Sequence, residues 1–260
     1  MRKKINRLDT KHCPKISIIT VCLNSEKTIL KCMNSVINQK YPKNKIEYIL
    51  IDGGSTDKTV EIIKKKENKI KYWHSKKDKG IYDAMNIGLK HCTGEIIGIL
   101  NSDDIFFKNT LKIVAKYFNK TKIDYLFGSV YKSRVYHNFF PQKLWYTFNI
   151  YPSHSVSFFI KNKTQKKIGK YNIKFNYSAD RDLFYRLIKN KNYLGISTKQ
   201  YEVFGKFNMY GASSRVGFFK KNIEEIKIRL SNGENFFKVI SIFFIYINYF
   251  LLKKILSFFK

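Results

Sequence analysis

The chain has 260 residues, 44% of them hydrophobic, which is enough to bury a full core and excludes a disordered protein. Fifty Lys and Arg against 19 Asp and Glu leave a formal charge of +31, which points to a polyanionic neighbour: nucleic acid, anionic lipid or a phosphorylated substrate. Part of that charge is compositional, since Lys, Asn, Ile, Phe and Tyr are enriched together, and the four cysteines lack the CxxC spacing and His partners of a zinc site, fitting reduced thiols in a cytosol.

Residues 1–14 form a basic tail without the apolar stretch of a signal peptide. Residues 15–23 (KISIITVCL) read as a buried strand, and Asn24-Ser25 caps a helix running to about Gln39. A turn over 41–44 leads to a second apolar strand, 46–51 (IEYILI). It ends in 52–57 (DGGSTD), where Asp57 reads as the cap of a helix reaching about Lys66. A short strand over 70–74 and a polar loop over 75–80 precede a helix over 81–91. Residues 96–100 are apolar without alternation and form another buried strand, ending in Asn101-Ser102-Asp103-Asp104. A helix over 109–118 and a strand over 125–130 complete an alternation that predicts an α/β fold: a mainly parallel, right-handed sheet covered on both faces.

The second half is less regular. Residues 131–170 show no resolvable pattern. A helix is predicted over 180–189 (DRDLFYRLIK), a turn-rich loop over 207–215 and an amphipathic helix over 218–230. Fourteen residues, 239–252 (VISIFFIYINYFLL), carry no charge and are flanked by Lys238, Lys253, Lys254 and Lys260. A bilayer span needs about 20 apolar residues, so a helix lying in the membrane interface fits better. A buried core or oligomer helix is the other reading.

Three strand ends converge on one sheet edge: Asn24, Asp52 and the pair Asp103-Asp104. Ligands of open α/β sheets bind at that edge. A dinucleotide-binding dehydrogenase needs a Gly-rich turn after the first strand, but residues 22–27 (CLNSEK) contain no glycine, and no P-loop is present. The edge is thus built for a nucleotide whose phosphates are left to a metal. Asp83 and Asn86 lie on a helix facing either the site or water, and His154 either meets an acceptor or packs.

Four stretches together resemble a family 2 glycosyltransferase of the GT-A fold: residues 16–23 leading into Asn24, 52–57, 78–88 (DKGIYDAMNIG) and 94–104 (GEIIGILNSDD). The resemblance continues more thinly through 152–155 (PSHS) and 178–187 (SADRDLFYRL), and DKGIYDAMN is similar to a bacterial subgroup that builds surface polysaccharides. It implies that Asp52 contacts the nucleotide base and that Asn24 packs near it. Asp78, Asp83, Asn86 and His154 fall on the substrate side. Asp103 and Asp104 match the motif that binds ribose and metal, either being the ligand of Mn²⁺ or Mg²⁺. Asp180 matches the catalytic base, with Asp182 as the alternative two residues on. The sequence departs from the commoner pattern at Asn101 and Ala179, where carboxylates are usual.

The implied function is inverting transfer of a sugar from a nucleotide-diphosphate donor, with UDP favoured, to a saccharide or lipid-linked saccharide hydroxyl. The implied setting is bacterial lipopolysaccharide, capsule or exopolysaccharide synthesis. The expected organisation is the tail, a GT-A domain over 15–216 with a donor half (15–130) and an acceptor and base half (131–216), and a helical segment over 217–260. That segment would hold the protein on the anionic inner face of the cytoplasmic membrane or join copies of the chain. A non-catalytic subunit tethering a biosynthetic complex is the alternative. A nucleic-acid-binding protein has the charge but no reading motif, so no nucleic acid is expected as a partner.

Overall fold

The first apolar run becomes β1 (Ile16–Cys22), buried along its whole length. It lies between β2 (Ile46–Asp52) and β4 (Ile96–Asn101) and is parallel to both, as strands without polar alternation tend to be. β3 (Tyr72–Ser75) adds outside β2, again in parallel. The intervening helices are α1 (Ile29–Ile37), α2 (Thr59–Lys64), α3 (Ile81–Lys90) and α4 (Thr110–Lys120). The computed structural model describes residues 13–137, 139–148, 155–209, 211 and 216–258.

Beyond β4 the sheet departs from the expected parallel order. β9 (Phe158–Lys161) inserts antiparallel between β4 and β6 (Tyr125–Phe127), and β10 (Gly195–Ser197) pairs in parallel with β6. The order is β10-β6-β9-β4-β1-β2-β3. The single strand expected over 125–130 is two strands in two sheets. Gly128 separates them, and a side chain there would collide with the ring of Phe204. The continuation, β7 (Ser129–Tyr131), joins β8 (Val135–Tyr136), β11 (Val203–Lys206) and β5 (Ile105–Phe106) in a four-stranded sheet that starts directly after Asp104. The irregular stretch 131–170 also holds a 3₁₀ turn, Pro141–Trp145, and α5 (Asn162–Ile168).

The strand pleat divides the core in two. Ile19, Val21, Ile49, Ile51, Ile97 and Ile99 face Tyr82 and Met85 of α3, Leu183 and Phe184 of α6 (Ala179–Lys189), and Ile228 of α7 (Phe218–Ser231). Ile16, Ile18, Leu50 and Leu100 face Cys32, Met33 and Val36 of α1 and Leu111 and Val114 of α4. All four cysteines are buried free thiols. Burying Ile228 and Arg229 makes α7 part of the body, so the helical appendage expected from residue 217 begins only later. α8 (Phe236–Phe258) buries Val239 and Ile242, and Phe243 and Tyr246 pack on Phe148. Its later residues Tyr249, Leu251, Leu252, Ile255 and Leu256 stand exposed. Among the described residues no helix is long and apolar enough to cross a membrane.

Opposite the carboxyl edge, one buried acid ties the strand starts together. Glu47 of β2 accepts from Lys15 Nζ (2.7 Å), Ser17 Oγ (2.6 Å), Thr93 N (2.6 Å) and Thr93 Oγ1 (2.6 Å). Burial pushes this carboxyl up, but the bonds from Lys15, Ser17 and Thr93 outweigh it and hold it at about 2, against an ordinary 4.5. A depressed carboxyl contributes stability above its unfolded pKa and loses it as pH falls toward the folded one. Glu47→Gln should therefore destabilise the fold at pH 7 by about 1–3 kcal/mol, the range for unsatisfied buried donors. Urea unfolding should show the gap to wild type closing between pH 5 and pH 2; a gap that stays constant with pH would remove the ionic part of this account.

Candidate active site

The register places Cys22 beside Asp52, Asp52 beside Ser75, and Val21 beside Asn101, so the loops after β1, β2, β3 and β4 meet at one edge. Asp52 is buried there and takes five donors: Gly54 N (3.1 Å), Ser55 N (2.9 Å), Ser55 Oγ, Ser75 Oγ (2.6 Å) and Cys22 Sγ (3.4 Å). Burial would raise its pKa, but Ser55, Ser75 and Cys22 outweigh that and lower it. These bonds organise the 53–55 loop around Asp52, the residue expected to contact the base. Asn24 adopts φ 47°, a conformation Asn tolerates, and its Oδ1 accepts from Thr56 N (2.9 Å) while its own N–H donates to Ser55 Oγ (2.8 Å). It thus stitches the first two loops together. Asp57 accepts from Thr59 N at the start of α2 (2.9 Å) and from Glu26 N (3.1 Å), one position before Lys58, which occupies the cap position.

Asp78 is the more available acid at this end. It bonds Gly80 N (2.7 Å) and lies against Gly53, where a side chain would meet its Oδ2 at 2.7 Å. Burial raises its pKa, and the charges of Asp83 and Asp52 add to the effect.

At the end of β4 the acidic pair divides its work. Asp104 is fully buried; its Oδ1 accepts from Asn208 N (2.8 Å), while its Oδ2 has no hydrogen-bond partner among the described residues. Asn101 Oδ1, three residues earlier, is likewise buried without a partner. Asp103 is half-buried, touched by Asn208 Nδ2 (3.4 Å), and a side chain at Gly211 would reach its Oδ2 at 2.5 Å. Burial raises the pKa of both acids, and for Asp104 the charge of Asp103 adds to it. Unpartnered buried oxygens beside a second carboxylate are the donor set a hard divalent cation takes. Among the described residues no cluster of three acids, histidines or cysteines could hold a metal alone, so such an ion would draw its other ligands from the substrate and water.

Across the cleft, Asp180 opens α6. Its Oδ1 accepts from Tyr82 OH of α3 (3.1 Å) and from Arg181 N (2.9 Å), and its Oδ2 has no donor among the described residues. Burial raises its pKa to about 6, with Arg181 opposing the rise. Arg181 is held in turn by Glu225 (3.4 Å) and Phe148 O (2.9 Å). Glu225 also pairs with the fully buried Arg229 (3.4 Å), which donates to Leu144 O (2.7 Å) and Thr147 O (2.8 Å). α7 therefore fixes both Arg181, the neighbour of Asp180, and the wall over residues 144–148.

Two expected site residues are structural instead. Asp182 points away from Asp180: Arg186 binds its Oδ2 (3.0 and 2.9 Å) and Asn232 its Oδ1 (3.0 Å), so it locks α6 to the end of α7 and is not the base. Asn86 is buried and spends its amide on the backbone of Tyr171, giving and accepting at 2.9 Å. Asp83 accepts from Lys79 N (3.1 Å) and lines, with Asn86, Lys90, Lys170 and Tyr171, a cleft of about 290 Å³. His154 lies outside the described residues. Tyr82, Asn208 and Glu225 were not singled out from sequence; Tyr82 sat within the 78–88 motif, and the other two carried no local signal.

The model of the family described as "Glycosyl transferase family 2" matches residues 17–188. An uncharacterized glycosyltransferase of Mycobacterium tuberculosis is 40% identical over 93 residues, covering 36% of this chain and 35% of its own. The Staphylococcus aureus poly(ribitol-phosphate) β-N-acetylglucosaminyltransferase TarS is 35% identical over 115 residues, 43% of this chain and 20% of TarS. The matched segment thus spans about a third or less of these relatives' length. In three dimensions, the crystal structure of TarS superposes with TM-score 0.68 at 21% identity, over 88% of this chain and 42% of TarS. A mannosyltransferase of Pyrobaculum calidifontis, in complex with GDP-Man and Mn²⁺, gives 0.67 at 18% identity, over 87% of this chain and 67% of its own. The architecture is that of these GT-A neighbours, and with the family model covering most of its length, this chain belongs to glycosyl transferase family 2.

Proposed function

We propose that the protein is an inverting glycosyltransferase that moves a sugar from a nucleoside-diphosphate donor to an acceptor hydroxyl, with Asp180 as base. The observation that carries this reading is the asymmetry of Asp180: two donors fix Oδ1, and Oδ2 stays open on a carboxyl poised at about 6. Oδ2 takes the acceptor proton as that oxygen attacks the anomeric carbon, and the bond to the diphosphate breaks on the opposite face. One base and one displacement need no enzyme nucleophile, so configuration inverts. Asp104, with Asp103 and Asn101, would hold Mn²⁺ or Mg²⁺, which when bound offsets the charge gathering on the departing diphosphate. Asp78 and Asn24 flank the space for the nucleoside. TarS in complex with UDP-GlcNAc and the archaeal enzyme with GDP-Man support a nucleotide-sugar donor here, with UDP favoured.

The acceptor belongs to a surface polymer of a bacterium: lipopolysaccharide, capsule or exopolysaccharide. TarS by name acts on poly(ribitol-phosphate), and a Methanococcus voltae relative, 38% identical over 106 residues, on a dolichyl-phosphate-linked sugar. The exposed end of α8 and the +31 charge support work at the anionic cytoplasmic face of a membrane.

The pH dependence of kcat/KM tests the base. A carboxylate base must be ionised, so the rate should fall tenfold per unit below about pH 6. Tyr82→Phe removes a donor to the ionised form and should move that limb to higher pH; Asp180→Asn should lose about 10²-fold or more in rate. Full activity of Asp180→Asn would rule Asp180 out as the base.

The cation is tested by binding as well as turnover. Asp104→Asn removes a buried charge with an unpaired oxygen, so it should melt at the same or a higher temperature while Mn²⁺ binding in the presence of UDP, followed by electron paramagnetic resonance, drops tenfold or more. Unchanged Mn²⁺ binding in both Asp104→Asn and Asp103→Asn would rule this ligand set out.

Cutting the chain after residue 248 removes the exposed end of α8 and spares Val239, Ile242 and Tyr246. The truncated protein should stay folded yet lose cosedimentation with anionic vesicles. The full chain should be only partly released by salt, because salt screens lysines and not apolar contacts. Vesicle binding unaffected by the cut would place the contact elsewhere.

A further inference from the structure

Two lysines stand in the cleft without a role so far. Lys132 follows β7, and its ammonium lies 5.0 Å from the ring centres of both Tyr136 and Phe207. Phe207 precedes Asn208, which bonds Asp104, so Lys132 sits beside the acidic motif. Lys221 lies one turn before Glu225 on α7, the acid that holds Arg181 next to Asp180, so it sits beside the base. Neither ammonium is ion-paired to a carboxylate among the described residues. Between Glu202 and Glu224 the chain carries no acidic residue that could fold over them.

Both lysines are half-buried, and burial draws each below the ordinary lysine range. Lys221 adds to that effect at Lys132, and Arg181 adds to it at Lys221. Asp104 and Asp180 offset only part of this. Like charges in a partly desolvated cleft repel, and a multivalent anion between them relieves the repulsion.

We propose that Lys132 and Lys221 form a binding pair for a phosphoryl group carried by the acceptor, placed between the acidic motif and the base. The proposal rests on the transferase reading above and narrows its acceptor to a phosphate-bearing molecule. The donor diphosphate has its own place at Asp103 and Asp104, whereas Lys221 borders the side where the acceptor hydroxyl must meet Asp180. A phosphate held there sets the attacking hydroxyl within one or two units of the phosphorylated position.

The full-length protein, saturated with Mg²⁺ and UDP or, in turn, GDP, is titrated with inorganic phosphate by calorimetry. Lys132→Met and Lys221→Met, which keep side-chain length and remove charge, are compared with wild type. Each substitution should weaken phosphate binding fivefold or more and change nucleotide affinity less than twofold. A tenfold loss of nucleotide affinity with phosphate binding unchanged would assign the pair to the donor diphosphate and overturn the proposal. Phosphate binding absent from wild type, or equal in all three proteins, would overturn it too. Lysine-dependent phosphate binding by a wild type that binds neither nucleotide would sink the transferase reading and leave the anion site standing.

Discussion

The parallel register of β1 against β2 and β4 is the constraint on which the rest of the site depends. It aligns Cys22 with Asp52 and Val21 with Asn101, so that three chain reversals open on the same edge. A slip of one residue would exchange the two faces of a strand, burying Asp52 among the wrong neighbours and turning Ile49 and Ile51 out of their cluster. The tight apolar packing on both faces leaves no room for such a slip, and Glu47 pins the opposite ends. Once the edge is set, Asp52 gathers five donors and shapes the 53–55 loop, and Asn24 ties the first loop to it. The shape of this edge is then a product of backbone placement more than of free carboxylates.

The two halves of the site are joined by charge. At the end of β4, the half-buried Asp103 and the buried Asp104 lie together with few donors, a costly arrangement that a divalent cation would relieve. At the start of α6, Asp180, Arg181, Glu225 and Arg229 alternate in sign into the core. Removing one member of a buried ion pair leaves an uncompensated charge at a cost of about 3–5 kcal/mol, so α7 cannot be trimmed away without disturbing the surroundings of Asp180. This is why α7 belongs to the folded body, while only the far part of α8 stands exposed.

Much of the donor half was legible in the sequence because unbroken apolar runs ending in polar turns leave few alternatives to a parallel sheet. The antiparallel β9 was not, since four residues in an aromatic and lysine-rich stretch carry no periodic signal. Gly128 split an expected strand through a tertiary contact with Phe204 that no local pattern encodes. Asp180 and Asp182 are two residues apart on a helix, hence about 200° apart around it, and only the packed structure shows which one faces the cleft. Asn86 looked like a site residue because it sits in a distinctive motif, yet its amide closes a backbone gap at Tyr171. Lys132 and Lys221 were invisible among fifty basic residues, and what distinguishes them is their place between two acids.

The central claim is a single displacement at the anomeric carbon driven by Asp180, and the configuration of the product reads it directly. Proton nuclear magnetic resonance of the first turnovers with an α-linked nucleotide sugar should show only the β-linked product. An α-linked product would require a second displacement or front-face attack and would contradict the account.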